Sequence, residues 1–305
     1  MTSPRPCSVI ICTHNPRPDY LRRTLDALKT QTLPVEQWEV LLIDNASKER
    51  LADKWDLSRH PNARHVREEK LGLTHARLCG IGAAAGDIVV FIDDDNVIDP
   101  NYLKQAMSIS NDWPMLGAWG GQIVAEFEEA PAKWSEPFLG LLAIREFQRD
   151  IWANSKHAFD AMPCGAGMIV RKSICSAYKA KVESDPRRAL LGRRGANLAS
   201  CEDSDLAYTA IDLGYGFGLF QALKLTHLIP KVRVSEDYLI RLIEQMTLST
   251  ALLNAIRAEA NGNGEIPKTG LARLSEIMTD SRARQIFLAR RRGKKAAARL
   301  ISSLS

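Results

Sequence analysis

The sequence has no uninterrupted apolar stretch of the roughly 18–20 residues that a membrane-crossing helix needs. The apolar run that follows Met-Thr-Ser-Pro-Arg-Pro is about five or six residues, too short for the hydrophobic region of a signal peptide. Six cysteines lie scattered at positions 7, 12, 79, 164, 175 and 201 with no Cys-x-x-Cys pair. That spacing excludes a zinc ribbon and a disulfide framework and fits a reducing cytosol. Acidic residues are missing from one region only. Between Ser281 and Ser305 there is no Asp or Glu, while Arg282, Arg284, Arg290, Arg291, Arg292, Lys294, Lys295 and Arg299 make eight basic residues. Removing those eight charges from the net +5 leaves the first 280 residues at −3. The basicity therefore belongs to a tail, which argues against a body-wide nucleic-acid surface and for a local electrostatic contact. What is present is ordinary: 305 residues, 45% apolar and 25% charged. That excludes a disordered or collagen-like chain and allows one large α/β domain or two small ones.

Three continuous apolar runs, Ser8 to Cys12, Val40 to Asp44 and Asp87 to Asp93, read as central strands covered on both faces. Between them, Asp19 to Thr30 and Thr74 to Ala85 carry apolar residues at helical spacing. The alternation predicts βαβ units and a parallel sheet, whose ligands bind at the carboxyl ends of the strands. The polar residues after each strand are therefore the candidates: Thr13, His14 and Asn15; Asp44, Asn45 and Ser47; Asp93, Asp94, Asp95 and Asn96. Beyond Asp99-Pro100, the tryptophans 113, 119 and 134 and Gly120-Gly121 suggest an irregular sheet-and-loop half. Ser235 to Ala260 reads as a long helix with Ser235 as N-cap, Asn261 to Gly270 as loop or linker, and the basic tail as an amphipathic helix. In that tail Ile286, Phe287, Ala297, Leu300, Ile301 and Leu304 oppose the arginines.

Asp93-Asp94-Asp95 is the strongest chemical signal, because three consecutive carboxylates at a strand end repel one another unless a cation neutralises them. Hard oxygen ligands suit Mg2+ or Mn2+, which keeps few protein ligands and is completed by water and substrate phosphates. Glu202-Asp203-Ser204-Asp205 precedes a helix-like stretch. There the carboxylates serve either as simple helix-start charges or, for one of them, as a general base. His227, in Leu225-Thr226-His227-Leu228-Ile229-Pro230, reads as a packed histidine or a metal ligand. Gly80-Ile81-Gly82 precedes a strand instead of following one, so it is no dinucleotide fingerprint.

These motifs together resemble family-2 glycosyltransferases of the GT-A fold, of the bacterial polysaccharide type. The resemblance is carried in order by Ser8 to Asn15, Leu41 to Ser47, Gly72 through Ala76-Arg77 to Asp87, and Phe91 to Asp95. It continues through Pro163 to Met168 with Arg171, through Glu202-Asp203, and through His227 with Pro230 and Arg233, covering about residues 7 to 250. It implies an α/β GT-A domain over residues 1–234: a Rossmann-like nucleotide-binding half (1–100) with a central, mostly parallel sheet, and an acceptor half (101–234). A helical C-terminal extension (235–305) would follow. Two departures stand out. Leu78-Cys79 follows Arg77 where many members carry Asn, and Gly165-Ala166-Gly167 has a small residue where several relatives carry Asn.

What the resemblance implies is a metal-dependent, inverting transfer of sugar from a nucleoside-diphosphate donor, a UDP-sugar first, to a hydroxyl of a glycan or lipid-linked acceptor. Thr13, Asn15 and Asp44 would hold base and ribose, Arg77 the nucleotide or its phosphates, and Asp93 and Asp94 the nucleotide side. Asp95 with Asp93 and His227 would hold Mn2+ or Mg2+; Asp203 would be the base and Glu202 would orient the acceptor. The acceptor is expected near Trp113 to Trp152, since aromatic faces stack on sugars. The tail would attach a cytoplasmic enzyme to the anionic inner leaflet of the membrane, through residues 281–305, with no nucleic-acid partner. A nucleotidyltransferase is the enzymatic alternative, but it wants a Gly-rich, basic phosphate loop where this chain has Thr13-His14-Asn15-Pro16. A non-catalytic membrane- or RNA-binding module is the other, and nothing structural in such a module requires Asp44, Asp93, Asp95 and Asp203 together.

Overall fold

The computed structural model describes residues 6–260 and 281–304, so the linker expected at 261–270 lies outside the described residues. Its frame is a mixed sheet built around β1 (Cys7–Thr13), β2 (Trp38–Asn45), β3 (Ala63–Glu68) and β4 (Ile88–Asp93), which pair in parallel in the order β3-β2-β1-β4. Three of these strands coincide with the continuous apolar runs. The fourth, β3, is Ala-Arg-His-Val-Arg-Glu, a half-buried edge strand whose charged residues hide it from a search for apolar runs.

The apolar runs are continuous because both faces of the sheet are covered. Ile10 and Cys12 of β1 face one core with Ile81 of α2 (Leu73–Ala83), Tyr178 of α4 (Lys172–Ser184) and Leu206 of α5 (Glu202–Asp212). Val9 and Ile11 face the other, against Leu21 and Leu28 of α1 (Pro18–Lys29) and Leu103 of α3 (Tyr102–Asp112).

Beyond β4 the sheet turns mixed, as the irregular composition of this half suggests. β8 (Ile169–Arg171) runs antiparallel to both β4 and β6 (Leu116–Phe127), and β6 runs parallel to the long β9 (Gly216–Ile229). Two short strands, β5 (Asn96–Ile98) and β7 (Ile151–Ala153), pair antiparallel with β9. The pairing of β5 with β9 sets Asn96 opposite His227 and so brings the end of β9 beside the Asp93–Asp95 turn.

The helix α6 (Glu236–Ala260) starts where the capping pattern places it, with the Ser235 hydroxyl accepting from the Tyr238 N–H at 3.4 Å. Leu252, Leu253 and Ile256 of α6 enter the same core as Ile10. The tail forms α7 (Ser281–Leu304), as its periodicity predicts. Its packed face lies against α6, where Ala289 joins Ile240 and Ile243. No helix among the described residues is long and apolar enough to cross a membrane.

Candidate active site

The carboxyl ends of β1, β2 and β4 lie in register, Thr13 beside Asp44 and Cys12 beside Asp93, so their polar residues emerge along one edge. A cavity of about 530 Å3 opens there, lined among others by Thr13, Arg77, Asp93–Asp95, Glu202, Asp203 and His227. Eight of the ten site residues expected from the sequence thus meet in one space. Asn15 and Asp44 stand behind it. Asp44 is buried and accepts from the backbone N–H groups of Ser47 and Leu51, both at 3.1 Å, and from Arg67 Nη1 at 2.7 Å. Burial opposes its ionisation, but these donors outweigh it and hold its carboxyl below the ordinary range. Asn15, at φ 48°, accepts from the Lys48 N–H at 2.9 Å and donates its own N–H to Ser47 Oγ at 3.0 Å. The two residues brace the loops after β1 and β2. Asn45 reaches the cavity itself and accepts from the Gly72 N–H at 2.8 Å, which fixes the start of α2.

The acidic turn after β4 is divided by its surroundings. Thr13 Oγ1 hydrogen-bonds Asp94 Oδ2. Burial and the neighbouring Asp95 charge push the Asp94 carboxyl up to about 7. Asp95 is buried, and Asn96 Nδ2 donates to its Oδ1 at 3.0 Å. Its Oδ2 lies 3.0 Å from Arg233 Nη1 and 3.4 Å from His227 Nε2, and those two nitrogens are 3.1 Å apart. Burial works against the Asp95 charge, yet His227 and Arg233 hold its carboxyl well below the usual range. Among the described residues, the buried Nδ1 of His227 has no hydrogen-bond partner.

On the opposite wall, the chain enters α5 through Cys201 at φ 119°, a conformation few non-glycine residues adopt and one that clusters at functional sites. The turn aims Glu202 and Asp203, 109 residues and more beyond β4 in sequence, back at the strand ends. Asp203 Oδ2 accepts from the Gly165 N–H at 2.8 Å and Oδ1 from the Ser204 N–H at 2.7 Å, so both oxygens are oriented by backbone. Glu202 is buried, and burial, with the Asp203 charge beside it, raises its carboxyl to about 7 although Arg77 opposes the rise.

Arg77 joins the two walls. Only 3% exposed, its guanidinium lies 3.0 Å from Glu202 Oε1 and 3.6 Å from Asp93 Oδ1. Gly165 makes room for it, since a Cβ there would sit 2.4 Å from Arg77 Nη2. Arg145 and Arg193 also line the cavity. Each sits in irregular chain with no local pattern, and nothing in the sequence marked them.

Among the described residues no three His, Cys, Asp or Glu side chains converge to hold an ion by themselves. A divalent cation completed by water and substrate phosphates needs only one or two protein ligands. The notch between Asp95 Oδ2 and His227 Nε2 already draws the Arg233 cation, so its chemistry fits a positive group.

The tryptophans stand outside this cavity. Trp119 is fully buried in β6, Trp113 packs at 5.4 Å on Phe220 and at 6.1 Å on Trp152, and Trp134 lies under Arg282. None lines the cavity. Most of this aromatic area is used in the core and between elements, while Trp152 is 46% exposed outside the cavity.

Comparison with known proteins agrees with this geometry. The family model for glycosyl transferase family 2 matches residues 8–178, more than half of the chain. The glycosyltransferase EpsH of Bacillus subtilis is 28% identical over 107 residues, covering 34% of this chain and 30% of EpsH. The glucosyl-dolichyl phosphate glucuronosyltransferase of Haloferax volcanii is 27% identical over 145 residues, covering 46% of this chain and 45% of that protein. The chain thus spans less than half the length of these curated relatives. Among solved structures, S. aureus TarS matches with a TM-score of 0.52 at 15% identity, over 82% of this chain and 42% of TarS. TarS 1-349 in complex with UDP-GlcNAc matches at 0.50 and 15% identity, over 93% and 79%. Likeness at that identity concerns the fold, and it bears out the GT-A architecture.

Proposed function

We propose that this chain, which belongs to glycosyl transferase family 2, moves a sugar from a nucleoside diphosphate to an acceptor hydroxyl with inversion at the anomeric carbon. Membership makes it a glycosyltransferase; donor, acceptor, metal and stereochemistry are the proposal. One observation carries it: Asp203, with both oxygens oriented, faces the Asp93–Asp95 turn across a single cavity of about 530 Å3.

The division of labour follows from position. Asp203 takes the proton of the acceptor hydroxyl as that oxygen attacks the sugar, and its two backbone donors keep the carboxylate aimed. Glu202, gripped by Arg77, orients the acceptor. As the bond to the diphosphate breaks, negative charge grows on the leaving group, and Arg233 and Arg193 place positive charge on that wall. Asp95, Asp93 and His227 would hold Mn2+ or Mg2+, which when bound supplies further neutralisation of the leaving diphosphate. Thr13 and Asp94 serve the ribose, and Asn15 and Asp44 act through the loops they brace. Arg77, buried between Asp93 and Glu202, acts as a positioning residue for both walls.

A UDP-sugar donor agrees with the UDP-GlcNAc complex of TarS, and a lipid-linked acceptor with the name of the H. volcanii relative. The setting we propose is cell-surface polysaccharide synthesis on the cytoplasmic face of the inner membrane. The test is a screen of nucleotide-sugars with Mn2+ or Mg2+, reading thermal shift and slow donor hydrolysis. At least one donor should raise the melting temperature in a metal-dependent way and be hydrolysed. A panel in which no nucleotide-sugar does either would overturn the proposal.

A further inference from the structure

Outside the cavity the largest charged feature is α7. It runs parallel to α6, because Arg282 pairs with Glu236 at 3.0 Å and Arg292 with Glu244 at 2.7 Å. Farther along, Leu300 and Ile301 pack on the core that holds Leu252 and Ile256. The seam consists of small residues: Ala289, Gly293 and Ala297, spaced i, i+4 and i+8, are buried. A Cβ on Gly293 would lie 2.4 Å from the Glu244 carbonyl oxygen, so the two backbones meet there and the rotation of α7 is set.

That rotation decides where the charge points. On the side away from the seam lie Arg284, Leu288, Arg291, Lys295 and Arg299, spaced i, i+4, i+7, i+11 and i+15 and all exposed. No acidic residue interrupts them. The stripe is straight and about 22 Å long.

We infer that this outward face of α7 docks the protein on an anionic lipid surface. The attraction is mainly electrostatic, because Ala289, Gly293 and Ala297 are buried against α6 and Leu288 is the one apolar side chain in the stripe. Charge complementarity commits the face to lipid: a flat row of cations fits a plane of anionic headgroups. Single-stranded RNA would want aromatic side chains interleaved with the cations, and the stripe has none. The inference rests on α7 alone and holds whichever sugar is transferred.

Co-sedimentation of the full chain with vesicles of phosphatidylcholine, with and without phosphatidylglycerol, tests it without any nucleotide. The protein should pellet with the anionic vesicles only and be released by high salt. Each cation near such a surface is worth about fivefold in affinity, equivalent to about 1 kcal/mol. The R284Q/R291Q/K295Q/R299Q variant should therefore lose about 100-fold or more. R22Q/R59Q/K104Q/K133Q removes as many exposed charges from the body and should bind like the wild type. Absence of binding to anionic vesicles, equal losses in the two variants, or binding that survives high salt would overturn the inference. So would capture of the wild type by poly-U in preference to the anionic vesicles.

Discussion

The helix α5 belongs to two charged clusters that are settled in opposite ways. In the first, Asp93, Asp94, Asp95, Glu202 and Asp203 crowd one cavity where Arg77 and Arg233 are the paired cations, and the Asp94 and Glu202 carboxyls are pushed up to about 7. In the second, Asp205 is fully buried between Arg188 Nη1 at 2.6 Å and Arg257 Nη1 at 3.1 Å. Nearby, Asp212 takes Lys156, Lys181 and Arg257 at 2.6–2.9 Å. Burial opposes the Asp212 charge, but those three donors hold its carboxyl well below the ordinary range. Charge that the fold has matched holds elements together. Charge that it leaves short of cations suits a cation or a reacting group that comes and goes.

The comparison can be broken at either end. Removing one partner of a fully buried pair leaves the others uncompensated, so Asp205→Ala should cost about 3–5 kcal/mol in urea unfolding. The folded fraction should still transfer sugar. A cost no larger than that of a surface pair would show that the second cluster is not structural.

Glu202→Gln should show the converse through pH. The carboxyl rises from its ordinary 4.5 to about 7 in the folded chain, so the native state holds this proton more tightly than the unfolded state. Glu202 should therefore contribute a fall of about 3 kcal/mol in wild-type stability as pH rises from about 4.5 to about 7. The variant should lack the Glu202 share of that fall and keep the share of Asp94, whose carboxyl is raised over the same range, so its curve should be shallower; unfolding curves of identical pH dependence in the two proteins would contradict the assignment. Asp95→Asn should weaken Mn2+-dependent nucleotide binding by about tenfold or more, measured by titration calorimetry. Unchanged affinity would remove it from the metal side. The smallest effect is expected from Arg292→Ala, whose pair with Glu244 is half exposed, at about 0.2–1 kcal/mol in thermal unfolding.

Much of the first half was legible because strands covered on both faces must be apolar throughout, and because their polar ends mark the binding edge. The carboxylates of the cavity were legible as residue types. Their partners were not: Arg77 reaches Glu202 across 125 residues, and Arg233 reaches Asp95 only through the pairing of β5 with β9. β3 escaped notice because an edge strand tolerates charge, and the role of the tryptophans was not legible because packing and sugar stacking use the same surface. The tail's periodicity gave a helix, but only the seam at Gly293 shows that its apolar side is already occupied.

The central claim is that the start of α5 carries the chemistry, and the transfer rate of Asp203→Asn at saturating donor tests it most directly. The rate should fall by about 10²–10⁴-fold while UDP binding stays at the wild-type level. Transfer at the wild-type rate would contradict the account.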